Sequence, residues 1–291
     1  MARPMRFTTS RSWPFIVRRG HPRHFLSCCA IVRNEASDIL EWVAFQRLVG
    51  VDHFYIYDNG STDHTADLLR SRFSEDVVTL IDWPARPGQL ASYAHAIANF
   101  AGDTEWCAFI DADEFLFPTA GDSLVPLLES TGRASALCAF WLIFGSSGYR
   151  QRPPGLCIES FTYRAGADFH PNGHPKSIVK LREALGLRDP HLFFTRHGSI
   201  DEQGRPVPRH RAAPTPQQEF SHERIRINHY FAKSARQWAV KQARGQVTHA
   251  PGDPEFRRPD SDFHLHDRNE VEDLTILRFL PRLRASLAAL G

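Results

Sequence analysis

Three carboxylates follow an apolar run near the middle of the chain. Asp111, Asp113 and Glu114 come directly after Trp106 to Ile110. Because side chains of an extended backbone alternate, Asp111 and Asp113 project to the same side. Paired carboxylates attract hard divalent cations, and Mg²⁺ or Mn²⁺ is usually held by one or two of them together with water and substrate phosphates. The spacing is typical of a metal site at a strand end, although a solvated acidic loop has the same pattern.

The elements that position this cluster are four apolar runs that alternate with helical patterns. The runs that predict buried strands are Phe25 to Val32, His53 to Tyr57, Val77 to Ile81 and Trp106 to Ile110. Three helices are predicted between them. The first runs from Asp38 to Gly50, the second follows the turn Asp58 to Asp63 and ends at about Phe73, and the third runs from Gln89 to Phe100. Asp38 and Glu41 have the spacing of a capping box at the start of the first helix. This alternation predicts an α/β fold with a mostly parallel, Rossmann-like central sheet.

Polar clusters follow each of the four predicted strands. They are Arg33 to Glu35, Asp58 to Asp63, Asp82 and Asp111 to Glu114. In open parallel sheets ligands bind beyond the carboxyl ends of the strands, so we expect these clusters to share one site. The first strand is not followed by Gly-x-Gly-x-x-Gly, and the chain has no Walker sequence. The pattern therefore argues against a dinucleotide-binding fold and against a P-loop enzyme.

Beyond Pro118 the alternation becomes irregular and predicts a mixed carboxyl-terminal lobe. Short strands are expected, among them Glu159 to Arg164, and a helix begins at Ser234. Val271 to Leu290 is predicted to be one amphipathic helix that docks through leucine and isoleucine side chains. We divide the chain into a basic, irregular segment 1–24, a main domain 25–250 and an extension 251–291 with the docking helix.

Composition and charge exclude several classes of protein. The 291 residues are 42% hydrophobic and 23% charged, with a formal net charge of +2, which is ordinary for a globular protein and gives no indication of a nucleic-acid partner. The five cysteines show no Cys-x-x-Cys spacing, which predicts a reducing, cytoplasmic compartment. No apolar run approaches membrane-spanning length, so we expect a soluble protein that is able to rest on a membrane surface.

The order of motifs resembles the GT-A nucleotide-sugar glycosyltransferases. An Asn-Glu turn follows strand one, Asp-Asn-Gly-Ser-Thr-Asp follows strand two, and Asp-x-Asp-Glu-Phe follows strand four. Downstream, Asn228-His-Tyr-Phe-Ala-Lys-Ser234 is similar to the His-Tyr-x-x-Lys-Ser segment of the same group. The resemblance is to family 2 and to the related family 92-like group, and it covers roughly residues 25 to 245.

The resemblance implies a role for each matching residue. Asp58 would contact the nucleoside of the donor. Asp111 and Asp113 would bind the metal and the diphosphate, and His229 would complete the coordination of Mn²⁺, or of Mg²⁺. The remaining donor-binding residues implied by the match are Val32, Asn34, Glu35 and Lys233.

An inverting transfer also needs a carboxylate that removes the proton of the acceptor hydroxyl. Glu159 and Asp168 lie in the region where the resemblance places such a base. The chain departs from the family pattern at Ala235 and Arg236, which replace an acidic pair after Lys-Ser. It also lacks the membrane anchor that is common in animal members, so we expect a cytosolic, bacterial-style enzyme of polysaccharide biosynthesis.

The leading hypothesis is a metal-dependent, inverting glycosyltransferase that uses a nucleotide sugar, with UDP expected as the nucleotide. The acceptor would be a glycan or a lipid-linked saccharide, and no nucleic acid would be bound. A nucleotidyltransferase shares the need for a nucleotide pocket and a carboxylate-bound metal, but it usually carries a glycine-rich basic loop after the first strand. A catalytically silent carbohydrate-binding protein on the same fold is the alternative outside the enzymes.

Overall fold

The chain folds around one curved sheet whose strands are formed by the buried apolar runs. The computed structural model describes residues 21–208 and 219–291. Most of the predicted basic segment 1–24 therefore lies outside the described residues. The first half contains β1 (His24–Val32), α1 (Ile39–Leu48), β2 (His53–Asp58), α2 (Thr65–Arg72), β3 (Val78–Asp82), α3 (Gln89–Phe100), β4 (Thr104–Phe109), β5 (Glu114–Pro118), α4 (Val125–Glu129) and β6 (Ala136–Ile143).

The second half consists of shorter elements with longer connections. They are α5 (Cys157–Ser160), β7 (Tyr163–Arg164), β8 (Pro175–Lys180), β9 (Ala184–Leu187), β10 (Phe193–Thr195), β11 (Ser199–Ile200), β12 (Ile225–His229), α6 (Ala235–Arg244), α7 (Asp260–His266), β13 (Val271–Glu272) and α8 (Leu280–Ala289). In the described ranges no helix has the length and apolar character needed to cross a membrane.

The main sheet has the strand order β3-β2-β1-β4-β8-β6-β12-β5, and β11 pairs with β6 as a ninth strand. The four strands β3, β2, β1 and β4 are mutually parallel. Strand β8 then runs antiparallel to both of its neighbours, β4 and β6. The predicted α/β class with a Rossmann-like parallel half and a mixed second half is therefore confirmed.

The parallel register brings the predicted polar clusters to one edge of the sheet. Val32 at the end of β1 is level with Asp58 at the end of β2, and Asp58 is level with Asp82 at the end of β3. Strand β4 pairs with β1 up to Phe109, two residues before Asp111. The structure therefore confirms that these strands end on the same side.

Strands β5 and β12 complete this edge from the carboxyl-terminal half. Strand β12 is antiparallel to β5, and the pairing places His229 opposite Glu114. The backbone N–H of Tyr230 donates to the carbonyl oxygen of Asp113 at 2.9 Å. The register therefore explains why a distant histidine reaches the Asp-x-Asp turn.

The capping box predicted for Asp38 and Glu41 is wrong. Asp38 makes no side-chain bond to the first turn of α1; instead its carboxylate is paired with Arg152 and Lys233. Glu41 accepts the backbone N–H groups of Cys157 at 2.6 Å and Ile158 at 3.0 Å. Both carboxylates are thus used in contacts with distant segments, and Glu41 caps the start of α5.

Two predicted elements of the second half differ from the structure. The strand expected from Glu159 to Arg164 is confirmed only at its end, where Tyr163–Arg164 forms β7. Its first residues belong to helix α5, whose first N–H groups are accepted by Glu41. The single helix expected from Val271 to Leu290 is divided into β13, a 3₁₀ turn at Thr275–Phe279 and α8. Asp273 causes the break, since it accepts the N–H of Thr275 and pairs with two arginines. Leu283 of α8 is nevertheless buried in the core, as a docking helix requires.

Candidate functional site

A cavity of about 480 Å³ opens at the edge where the parallel strands end. Its walls come from the turn after β1, the Asp-x-Asp turn, the start of β8 and the segment from α6 onward. Five of the predicted site residues lie in its lining, namely Val32, Glu35, Asp111, Asp113 and His229. We call it the main cavity.

Asp111 is held on both carboxylate oxygens by protein donors. Its Oδ2 lies 2.8 Å from Nζ of Lys176, and its Oδ1 accepts from Nε2 of Gln89 at 2.8 Å. Although burial alone would raise the pKa of Asp111, Lys176 holds it below its usual value. Asp111 is therefore an ionised carboxylate whose partners are already supplied by the chain.

Asp113 lies between a lysine and a histidine. Its Oδ2 is 2.7 Å from Nζ of Lys241, and its Oδ1 is 3.6 Å from Nε2 of His229. Burial opposes the charge of Asp113, yet Lys241 and His229 hold its pKa well below the usual value. Burial also lowers the pKa of His229, so the imidazole is neutral at pH 7 and able to act as a ligand.

The donor set fits a divalent cation only in part. Across the described ranges, no three His, Cys, Asp or Glu side chains form a group that could hold a metal ion, so the predicted triad of Asp111, Asp113 and His229 does not converge. Asp113 and His229 are close together and line the cavity. Since Mg²⁺ and Mn²⁺ often need only one or two protein ligands when substrate phosphates supply the rest, this pair fits such an ion. The identity of the metal stays a prediction.

The turn after β1 is fixed by an ion pair with α6. Glu35 is bonded to Arg244 at 2.5 Å, and Nη1 of Arg244 also donates to the carbonyl oxygen of Arg33. Asn34 has a left-handed backbone with φ of 54°, which is uncommon for a residue other than glycine. Its side-chain oxygen accepts the N–H of Thr62 at 2.7 Å, so the turns after β1 and β2 are bonded to each other.

Asp58 is not part of the cavity lining. It is buried at the end of β2, and its Oδ1 accepts from the backbone and hydroxyl of Ser61. The neighbouring Asn59 lines the cavity instead, with its amide donating to the carbonyl oxygens of Trp83 and Ala85. The predicted contact of Asp58 with a nucleoside stays a prediction, and in this structure Asp58 shapes the turn.

A smaller cavity of about 260 Å³ lies beside the main one, and the residues that line both are Glu35, Asp113, Phe231, Lys241 and Arg244. The predicted donor-binding residues Asn34 and Lys233 line this second cavity rather than the first. Lys233, with φ of 50°, is bonded to Asp38 at 2.6 Å. The two left-handed residues of the sequence motifs thus meet at the second cavity.

Neither of the two candidate bases lines either cavity. Glu159 of α5 accepts the N–H of Leu156 at 3.2 Å and forms an ion pair with Arg284 of α8. Asp168 is exposed in the loop after β7. The structure does not bring these carboxylates to Asp113, so their catalytic role stays a prediction without geometric support.

Sequence reasoning missed several cationic residues that the fold brings to the main cavity. Lys176 at the start of β8 and Arg86 after β3 carry no motif, and Arg258 lies beyond the predicted domain boundary at residue 250. Loop residues 245–249 also line the cavity. Lys241 and Arg244 follow the His-Tyr-x-x-Lys-Ser segment shortly downstream, and this segment is the sequence signal that points to them.

One protein-family model matches the part of the chain that holds the parallel strands. Residues 23–142 match the model of glycosyltransferase family 92. The resemblance to family 92 is confirmed. This family 92 segment includes the parallel strands and the Asp-x-Asp turn, whereas Lys176, His229 and Lys241 lie beyond it.

Curated relatives support the same family. A glycosyltransferase family 92 protein of Oryza sativa subsp. japonica is 32% identical over 161 residues, which cover 54% of this chain and 27% of the relative. A family 92 protein of Ricinus communis is 30% identical over 188 residues, with 62% of this chain and 33% of the relative covered. The chain spans about a third or less of the length of these relatives.

Solved structures resemble the fold only distantly. One is Staphylococcus aureus TarS 1-349 in complex with UDP, which is 12% identical, covers 54% of this chain and 47% of its own, and has a TM-score of 0.34. The α/β class of this chain follows from its own strand order, in which four parallel strands are followed by a mixed half.

Proposed function

We propose that this chain is a glycosyltransferase that binds the diphosphate of a nucleotide sugar in the main cavity. The observation that carries the proposal is the charge of the cavity walls. Among the described residues, its lining holds six Lys or Arg side chains and three carboxylates. The excess of positive charge suits a polyanionic ligand, and the family 92 segment supplies the reaction class.

The charged side chains would act at the leaving group. As the bond between sugar and diphosphate breaks, negative charge grows on the diphosphate, and fixed cations in a site shielded from water stabilise it. Lys241 and Arg244 reach the cavity from α6, and Arg258 reaches it from the segment that follows. Lys241 is already oriented by Asp113 and Arg244 by Glu35, so these two groups need little rearrangement during the reaction.

A divalent cation would be held by Asp113 and His229. When bound, Mn²⁺ or Mg²⁺ would act as a Lewis acid toward the diphosphate oxygens. Asp111 is less suited to this role, because Lys176 and Gln89 already occupy its oxygens. We thus propose a metal site in which the protein supplies two ligands, Asp113 and His229.

The remaining details of the reaction come from the sequence alone. Three details stay predictions. They are UDP as the nucleotide, a saccharide or glycolipid as the acceptor, and a cytoplasmic location in which the protein is able to rest on a membrane surface. An inverting outcome also stays a prediction, since neither Glu159 nor Asp168 lines a cavity.

Donor hydrolysis and binding test the proposal together. Incubation of the chain with a panel of nucleotide sugars should release nucleotide diphosphate from one class of donor. Calorimetry with UDP should show binding that Mn²⁺ strengthens and that Asp113→Ala abolishes. Metal-independent saccharide binding without any affinity for nucleotides would instead support the silent carbohydrate-binding alternative, and release of pyrophosphate from a nucleoside triphosphate would support a nucleotidyltransferase.

A further inference from the structure

Lys176 is a buried cation in the wall of the main cavity. It is the second residue of β8 and is paired with Ala139 of β6. Because β8 runs antiparallel to β4, its first residues lie at the edge where β4 ends and the Asp-x-Asp turn begins. The side chain is only 1% exposed and lines the main cavity.

The ammonium group of Lys176 is fixed by the carboxyl groups of two side chains. Its Nζ lies 2.8 Å from Oδ2 of Asp111 and 3.4 Å from Oε2 of Glu114. Oε2 of Glu114 also accepts the backbone N–H of Asp111 at 2.9 Å, and Oδ1 of Asp111 is bonded to Gln89. The lysine therefore has a defined position before any ligand binds.

This arrangement is costly for a purely structural purpose. Glu114 is fully buried, and its Oε1 has no hydrogen-bond partner among the described residues. Burying ionisable groups in this way is often no more stabilising than packing apolar side chains of the same volume. A lysine ammonium has three donors, and the described contacts with Asp111 and Glu114 use two of them.

Each aspartate of the Asp-x-Asp turn has a lysine partner. Lys176 is bonded to Asp111, and Lys241 is bonded to Asp113, so that one ammonium group stands next to each aspartate. Both side chains line the same cavity. A diphosphate placed over this turn would therefore meet a cation at each end.

We propose that Lys176 binds the phosphate of the donor that carries the sugar, and that Asp111 is a positioning residue that holds this lysine in place. The inference rests on the proposed function and refines it, since it assigns the recognition of the second phosphate to a residue outside the family 92 segment. A nucleoside monophosphate lacks this phosphate and would not reach Lys176.

Calorimetric titration of the full chain with UDP and with UMP, both in the presence of Mn²⁺, tests the assignment. Lys176→Met should weaken UDP binding roughly 10- to 100-fold, as expected for the loss of a charged hydrogen bond, and should leave UMP binding unchanged. Lys176→Arg should restore part of the UDP affinity. Lys180→Met is the matched control, because Lys180 is on the same strand but donates to the carbonyl oxygen of Gly132 away from the cavity.

The outcomes separate this inference from the proposed function. Equal UDP affinity in Lys176→Met and the wild type, or equal losses for UDP and UMP, would overturn the role of Lys176. Failure of the folded wild type to bind UDP would overturn the proposed function instead. If Lys176→Met does not fold, the effect of the lysine can be measured by comparing the UDP and UMP affinities of Asp111→Asn with those of Asp111→Asn/Lys176→Met. The double variant removes both charges of the ion pair and so leaves neither Asp111 nor Lys176 as an unpaired buried charge. Under our assignment Asp111→Asn keeps a reduced preference for UDP over UMP, because Lys176 is present but less well positioned, and the double variant loses this preference.

Discussion

Nζ of Lys241 lies 2.7 Å from Oδ2 of Asp113 and also donates to the carbonyl oxygen of Phe231 at 2.9 Å. The ammonium group therefore occupies one oxygen of the carboxylate that is best placed to bind a metal ion. A divalent cation at Asp113 would be repelled by Lys241, whereas a diphosphate would offer Lys241 a new partner. Metal and nucleotide binding should for this reason be coupled through this residue.

Lys241→Met is predicted to have opposite effects on the two ligands. Without nucleotide, Mn²⁺ should bind roughly tenfold more tightly, because the competing positive charge is gone; at saturating Mn²⁺, UDP should bind roughly tenfold more weakly. Calorimetric titrations measure both affinities. Arg236→Met, on the exposed side of the same helix, should change neither. A parallel loss of both affinities would mean that Lys241 only stabilises the fold.

Asp38→Asn is predicted to destabilise the chain strongly. Asp38 is 2% exposed and is paired with the buried Lys233 and the half-buried Arg152, so the substitution leaves both cations without this carboxylate. The free energy of unfolding should fall by about 3 to 5 kcal/mol, measured by denaturant titration. Asp67→Asn on the exposed surface of α2 should cost less than about 1 kcal/mol. Similar small losses in both variants would show that the Asp38 network contributes little.

Gly245→Ala is predicted to disturb the loop that lines the main cavity. Gly245 has φ of 78°, and a Cβ atom there would lie 2.2 Å from the ring of Phe256. Gly252 has φ of 99°, but a Cβ atom at Gly252 meets nothing within 4 Å. Gly252→Ala should lower the free energy of unfolding by about 1 to 2 kcal/mol, because alanine is strained at this positive φ. Gly245→Ala should lower it further, because its Cβ atom also overlaps the ring of Phe256. Only Gly245→Ala should also weaken UDP binding. Equal UDP affinities in the two variants would show that this loop does not contact UDP.

Glu41 is predicted to make stability depend on pH. Burial, which outweighs the hydrogen bonds from Cys157 and Ile158, raises the pKa of Glu41 from 4.5 to about 7. The folded state thus holds this proton more tightly than the unfolded state, so the contribution of Glu41 is most favourable below pH 4.5 and is lost as the pH rises to about 7.

Denaturant titration at several pH values measures this contribution. Relative to Glu41→Gln, the wild type should lose about 3 kcal/mol of unfolding free energy between pH 4.5 and 7. The unfolding free energy of Glu129→Gln, at the exposed end of α4, should change with pH in the same way as that of the wild type. A constant difference between the wild type and Glu41→Gln across this range would contradict the prediction.

The sequence was sufficient to predict the strands and helices of the parallel half of the sheet. Continuous apolar runs predict strands buried on both faces, and polar residues after each run mark the strand ends. The helix from Gln89 to Phe100 was placed with its observed bounds, and β1 and β2 differ from prediction by a residue at one end. The Asp-x-Asp turn was located for the same reason, because it follows the last of these runs.

The rest of the site depends on long-range pairing that local patterns do not contain. Lys176 reaches the cavity only because β8 is inserted antiparallel between β4 and β6. The carboxylates of Asp38 and Glu41 have the spacing of a capping box, but distant segments offer them stronger partners. The 3₁₀ turn at Thr275–Phe279 similarly follows from the ion pairs of Asp273 rather than from the local apolar period.

Anomalous diffraction from crystals of the chain grown with UDP and Mn²⁺ tests the central claim most directly. We expect a manganese peak beside Asp113 and His229, and the diphosphate in the main cavity between Lys176 and Lys241. UDP bound outside this cavity, or manganese bound away from Asp113, would contradict the account.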